Sequence, residues 1–164
     1  MANKTFLFLL ILTLFFPSFS AYAQDKENLP VVHFAYAQEK IRQGEIWKIY
    51  PSVSDPNGNM SRIACNIEQA GAARLYKPSL IYLKKGMEKQ FVGYLALYTN
   101  SSQNLSGEEL TVNLSILDRQ GNVRKALSSP LEIDGDSTKS LPADMEKELN
   151  RRIGIIDVDF DVSD

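Results

Sequence analysis

Residues 110–118 read Leu-Thr-Val-Asn-Leu-Ser-Ile-Leu-Asp. Leu110, Val112, Leu114 and Ile116 alternate with Thr111, Asn113 and Ser115. Successive side chains of a strand point to opposite faces, so this spacing sets four branched apolar chains toward a core and three small polar ones toward water. No helix keeps such a pattern on one face, and the stretch fixes the class as β.

Working outward, the same period recurs. Downstream, Asp118-Arg119-Gln120-Gly121-Asn122 is a tight connection, followed by two weaker runs, Val123–Leu127 and Leu131–Ile133. Upstream, Phe91, Gly93, Leu95 and Leu97 alternate with Val92, Tyr94, Ala96 and Tyr98. Leu80–Leu83 is a short apolar run, and Ile63, Cys65 and Ile67 alternate with Arg62, Ala64 and Asn66. Trp47, Ile49 and Val53 alternate with Lys48, Tyr50 and Ser52, and Val32, Phe34 and Tyr36 with His33 and Ala35. Pro51 has no N–H to give a ladder, so an edge or a bulge is expected there. Asp55-Pro56-Asn57-Gly58 is turn chemistry, because proline presets φ and Asn-Gly accepts positive φ. Seven or eight short strands with no intervening helical pattern fit an all-β, antiparallel β-sandwich over residues 30–133.

The chain changes character after 133. Residues 134–140 form a polar linker, and 141–164 an acidic appendage. Ser140, Pro142 and Asp144 suit a helix start. Leu141, Met145, Leu149 and Ile153 fall at four-residue spacing, Arg151 and Arg152 follow, and Gly154 suits a stop. Ile156, Val158, Phe160 and Val162 then alternate with Asp157, Asp159 and Asp161, which predicts a final strand. Residues 134–164 carry four basic and nine acidic side chains, a net −5, whereas residues 24–133 carry a net +2.

The first 23 residues have the grammar of export. Lys4 precedes an apolar run from Phe6 to Phe16, and Ala21-Tyr22-Ala23 supplies small residues before Gln24. A membrane span needs roughly 20 apolar residues, and this run is shorter. We expect cleavage after residue 23, a short lead-in at 24–29, and a secreted or periplasmic product. One cysteine and one histidine in 164 residues exclude a disulfide framework and the usual zinc sites. With no dense basic stripe, nucleic acid is not an expected partner.

Two motifs carry a resemblance. Ser54-Asp55-Pro56-Asn57-Gly58-Asn59 resembles the S/T-D-P-D-G-D turn of bacterial immunoglobulin-like, cadherin-like and PKD-like modules. Asp118-Arg119-Gln120-Gly121-Asn122-Val123 resembles the D-x-x-G-N turn late in such modules. The resemblance implies an immunoglobulin-like sandwich outside the cytoplasm, of a mostly non-catalytic kind that binds, spaces or assembles. In the calcium-binding members aspartates stand where this chain has Asn57 and Asn59.

Candidate sites follow from these readings. A calcium site would draw on Asp55, Asn57 and Asn59, but calcium wants six to eight oxygens and one carboxylate is present, so the trio reads as a hairpin turn. Tyr94 and Tyr98 share an outward face if Leu95 and Leu97 are core, and Tyr50 and Tyr82 are expected on outward faces too. Such faces suit a glycan or a protein interface, and equally cross-strand aromatic pairing. Asp157, Asp159, Asp161 and Phe160 mark the tail as a docking segment, or as a strand whose charges deter edge pairing. Cys65 is expected to be buried and inert. His33 is expected at a surface or an edge, without a nucleophile. No cofactor and no catalytic residue are indicated. The expected function is a non-catalytic binding or assembly module meeting an envelope or extracellular protein, with a carbohydrate-binding tyrosine face as the alternative.

Overall fold

A computed structural model describes residues 29–69, 76–99, 109–133, 141 and 149–158. The export segment 1–23, most of the lead-in, the linker 134–140 and Asp159, Phe160 and Asp161 lie outside them. Among the described residues every regular element is a strand: β1 (Val31–Ala37), β2 (Lys40–Ile41), β3 (Ile46–Ser54), β4 (Met60–Gln69), β5 (Ser79–Tyr82), β6 (Gln90–Val92), β7 (Tyr94–Tyr98), β8 (Glu109–Asp118), β9 (Val123–Ile133) and β10 (Arg152–Ile156).

They make two five-stranded sheets. The first runs β1-β3-β7-β10, with β6 also on β3, and the second runs β2-β9-β8-β4-β5. The arrangement is an immunoglobulin-like sandwich, in which β10 takes the edge that strand D holds in a constant-type domain. Trp47, Ile49, Leu95 and Leu97 of the first sheet meet Ile63, Cys65, Leu114, Ile116 and Ile133 of the second, all at most 1% exposed. Trp47 Nε1–H donates to the Gln38 carbonyl at 2.7 Å, so its one polar atom is satisfied.

Five sequence expectations change, the last of them at Pro51, expected at an edge or a bulge. Both sheets are mixed, not purely antiparallel, since β2 pairs parallel with β9 and β10 parallel with β7. The chain crosses between sheets from β1 to β2, and the long excursion after Ile133 gives β10 the slack that a parallel return requires. Val123–Leu127 and Leu131–Ile133 are one strand. Pro130 is tolerated inside it because β2 pairs only with Glu132 and Ile133, which leaves Pro130 on a free edge. In β1 the register slips between Val32 and Phe34. This bulge at His33 keeps Val32 against the core and turns Phe34 and Tyr36 to the outer face, against the expected common face.

The fourth change concerns the tail. The expected helix falls mostly on 142–148, outside the described residues, and its expected end is strand. Ile153 and Gly154 belong to β10, as do Arg152 and Ile156, and Asp157 and Val158 follow without strand pairing. Within the described part of the tail, Arg152–Ile156 form a strand of the first sheet, while Leu149, before it, is helical. Gly154 is there for close approach, because a Cβ would come within 2.4 Å of Ile81 Cγ2 on the facing sheet. The Asp157 N–H donates to Ser79 Oγ at 2.9 Å and ties the end of β10 to β5.

Pro51 lies in β3, which is interior to its sheet, and its missing N–H falls at a gap. Ile49 pairs with Leu95 of β7 and Ser52 with Val92 of β6, in one shared register that sets Pro51 opposite Gly93. β6 and β7 are thus one strand interrupted where its partner cannot donate. Gly93 has φ of 152°, and a Cβ there would meet the Arg151 carbonyl oxygen at 2.1 Å.

Candidate functional site

The outer face of the first sheet is the least ordinary surface of the molecule. A face turned from the core normally carries polar residues in alternation. Here the outward rows hold Phe34 and Tyr36 from β1, Ile46, Lys48 and Tyr50 from β3, Tyr94, Ala96 and Tyr98 from β7, and Ile155 from β10. The rings form a chain across three strands. Phe34 and Tyr36 stack at 6.3 Å between centroids, Tyr36 and Tyr50 lie 6.5 Å apart, and Tyr50 and Tyr94 6.1 Å apart. Lys48 Nζ sits 4.9 Å from the Tyr94 ring centre, a cation–π distance.

Leu141 and Leu149 cover the middle of this row. With Tyr50 they form a second buried cluster, separate from the sandwich interior, with Phe34, Tyr36 and Tyr94 packed against it. Tyr50 is only 7% exposed. A sugar ring could not stack on it without displacing the leucines. The three tyrosines expected to act together are therefore split: Tyr50 is covered, Tyr94 is half-buried, and Tyr98 is open.

The end of the face beyond the cover stays bare. Ile46, Tyr98 and Ile155 are 42%, 38% and 46% exposed. Ile46 pairs directly with Tyr98 across β3 and β7, and Ile155, opposite Ala96, is the diagonal neighbour on β10. The Arg152 guanidinium donates to the Tyr98 hydroxyl at 3.3 Å, which holds the ring at the rim. Sequence reading singled out Tyr98 but not Ile46, Ile155 or Arg152. A signal was available: the outward residues Ile46, Lys48 and Tyr50 of β3 and Tyr94, Ala96 and Tyr98 of β7 include none of the Ser, Thr and Asn that β8 places outward.

The other candidates resolve into structure. Asp55 is 3% exposed, its Oδ1 accepts from the Asn57 N–H at 3.0 Å, and its Oδ2 accepts from the Asn59 N–H at 2.8 Å. Both carboxylate oxygens thus hold the turn. Asp118 does the same in the second motif: its Oδ1 accepts from the Gln120 and Asn122 N–H groups at 2.9 and 2.8 Å. Among the described residues no group of three His, Cys, Asp or Glu side chains could hold a metal ion.

Cys65 lies between Ile63 and Ile67 on the core face, and burial pushes its thiol up to about 12, far from nucleophilic use. His33 is exposed on the edge strand β1. Sequence reading gave it no hydroxyl neighbour, but its Nε2 and Ser54 Oγ are hydrogen-bonded at 2.7 Å. Asp157 is at the end of β10. Its companions Asp159, Asp161 and Phe160 lie outside the described residues.

No protein-family model matches the chain, and no curated protein does. Among solved structures, the chain is similar to the CARDB domain of a Pyrococcus furiosus protein, crystallised with di-metal ions. The identity is 12%, 64% of this chain and 87% of that one are covered, and the TM-score is 0.35.

Proposed function

We propose that this chain is a non-catalytic, exported module that binds an envelope or extracellular protein through the bare end of its first sheet. The observation that carries the reading is the row Ile46–Tyr98–Ile155. Three large apolar side chains stand in solvent on three adjacent strands, next to a cluster that the chain covers with its own leucines. Contiguous exposed apolar groups with a polar rim mark interaction surfaces. Tyrosine beside arginine is the composition that protein interfaces favour. The export grammar of residues 1–23 supports an extracytoplasmic place for the partner.

Crosslinking in the envelope fraction tests this. A partner captured by the native chain and by Asn113→Ala, on the opposite sheet, should be lost with Ile155→Lys. A glycan array separates the alternative: saturable sugar binding abolished by Tyr98→Ala, with protein capture intact in Ile155→Lys, would replace the protein-binding reading with a carbohydrate-binding one.

A further inference from the structure

At the opposite end of the same sheet face lies a cleft of about 370 Å³, lined by His33, Ser52, Ser54, Gln90, Val92 and Arg151, with Val53 and Phe91 at its base. Small-molecule sites run from roughly 300 to 1,000 Å³, so the cleft suits a small ligand. Three separate backbone irregularities converge on it. The bulge in β1 falls at His33, and bulges are a common means of re-aiming a side chain beside a site. Gly93, by lacking a Cβ, lets the Arg151 carbonyl approach and accept the Tyr94 N–H at 2.9 Å, which fixes the backbone that carries the guanidinium. The interruption between β6 and β7 opposite Pro51 frees the strand at Val92.

From this convergence we infer that the cleft is a binding site for a small monocarboxylate. Its polar side chains are an arginine, two serines, a glutamine and a histidine, and among the described residues no Asp or Glu lines it. The arginine, the serines and the glutamine can donate to a ligand. With Nε2 protonated, the imidazole donates to Ser54 Oγ and leaves the hydroxyl proton free for an anion. Arg151 supplies the one permanent positive charge, in a planar fork that matches a carboxylate through two parallel bonds. One guanidinium beside hydroxyl and amide donors matches a single carboxylate, whereas a phosphate dianion carries a second charge that no other arginine or lysine of the lining meets. Val92, 40% exposed, offers an apolar wall to the rest of the ligand. The carboxylate comes from a simple short-chain acid or from a sugar acid.

Chemical-shift titration of the purified protein tests the site, with propionate, glucuronate, glucose and inorganic phosphate as probes. Saturable shifts of the His33 ring and the Ser54 amide with propionate and glucuronate establish a carboxylate site. Shifts with glucuronate alone establish a sugar-acid site. Arg151→Gln should weaken the response at least tenfold while the remaining amide spectrum keeps the native pattern, and Asn113→Ala should leave it unchanged. No saturable shift with either carboxylate would overturn the inference. So would glucose matching glucuronate, phosphate binding more tightly than both acids, or a folded Arg151→Gln that binds as the native chain does.

Discussion

The two outer faces of this sandwich are built by the same kind of strand pairing and differ at their centres, although the second also exposes Leu80 and Tyr82 on its edge strand β5. On the second sheet the Asn113 amide donates to Glu68 Oε1 at 3.1 Å and accepts from Ser128 Oγ at 2.8 Å, a polar ladder across β4, β8 and β9 on the outer surface. On the first sheet the equivalent rows are Phe34–Tyr36–Tyr50–Tyr94, roofed by Leu141 and Leu149, and then Ile46–Tyr98–Ile155, open. A face that only has to meet solvent needs no aromatic row. The first sheet has two apolar sides, so it is an interior layer where the leucines cover it and bare apolar surface at Ile46, Tyr98 and Ile155.

The sharpest break of this comparison is Tyr50→Ala. Emptying the covered cluster should cost roughly 3–5 kcal/mol, the range for removing a buried aromatic ring. Urea unfolding measures it. Leu149→Ala should be coupled to it, with a non-additivity of about 0.5–3 kcal/mol expected of residues in direct contact. A Tyr50→Ala cost below 1 kcal/mol would mean that the leucines do not seal the row, and that the whole face is a free surface.

A second test sets the covered cluster against the true interior. Cys65 lies between the sheets, so Cys65→Ser should cost about 1–3 kcal/mol by burying a hydroxyl without a partner. Thiol reagents should label native Cys65 slowly and denatured Cys65 fast. The pH dependence has a definite sign. The folded thiol is pushed up to about 12, against about 8.5 in an unfolded chain. Between those values the folded state keeps a proton that the unfolded state releases, so stability falls as pH rises through the window. Cys65→Ala should flatten that slope relative to the native chain. Equal slopes would place the thiol outside the dry core.

Much of this architecture is written in plain alternation. The β8 pattern matches its burial residue by residue, as do Ile63, Cys65 and Ile67 in β4. The turns at Asp55 and Asp118 are legible because their chemistry is local. What was hidden is hidden by bulges. One extra residue at His33 reverses the facing of Phe34 and Tyr36, and no composition marks it. In β10 the register slips between Arg152 and Gly154, so Ile153 and Ile156 both reach the core at a spacing of three. That spacing imitates a helix, and Gly154, placed by its approach to Ile81, imitates a helix stop. The covered tyrosines were unreadable for another reason: nothing local says that leucines from far along the chain lie over them.

The smallest expected effect sharpens the comparison from the polar side. Asn113→Ala removes both of its hydrogen bonds, yet every group released returns to water, so the net cost should be about 0.5 kcal/mol, near the low end for a hydrogen bond. Asn113→Val removes the same bonds and adds a β-branched side chain, whose preference for a pleated surface offsets the loss, and stability should stay within about 0.5 kcal/mol of native. The pair separates two accounts of the ladder. If it merely fills a solvated face, both variants unfold at nearly the native denaturant concentration. A cost above about 2 kcal/mol for either would mean that the ladder is structural, and the two outer faces would then differ in how they stabilise the sandwich as well as in what they offer a partner.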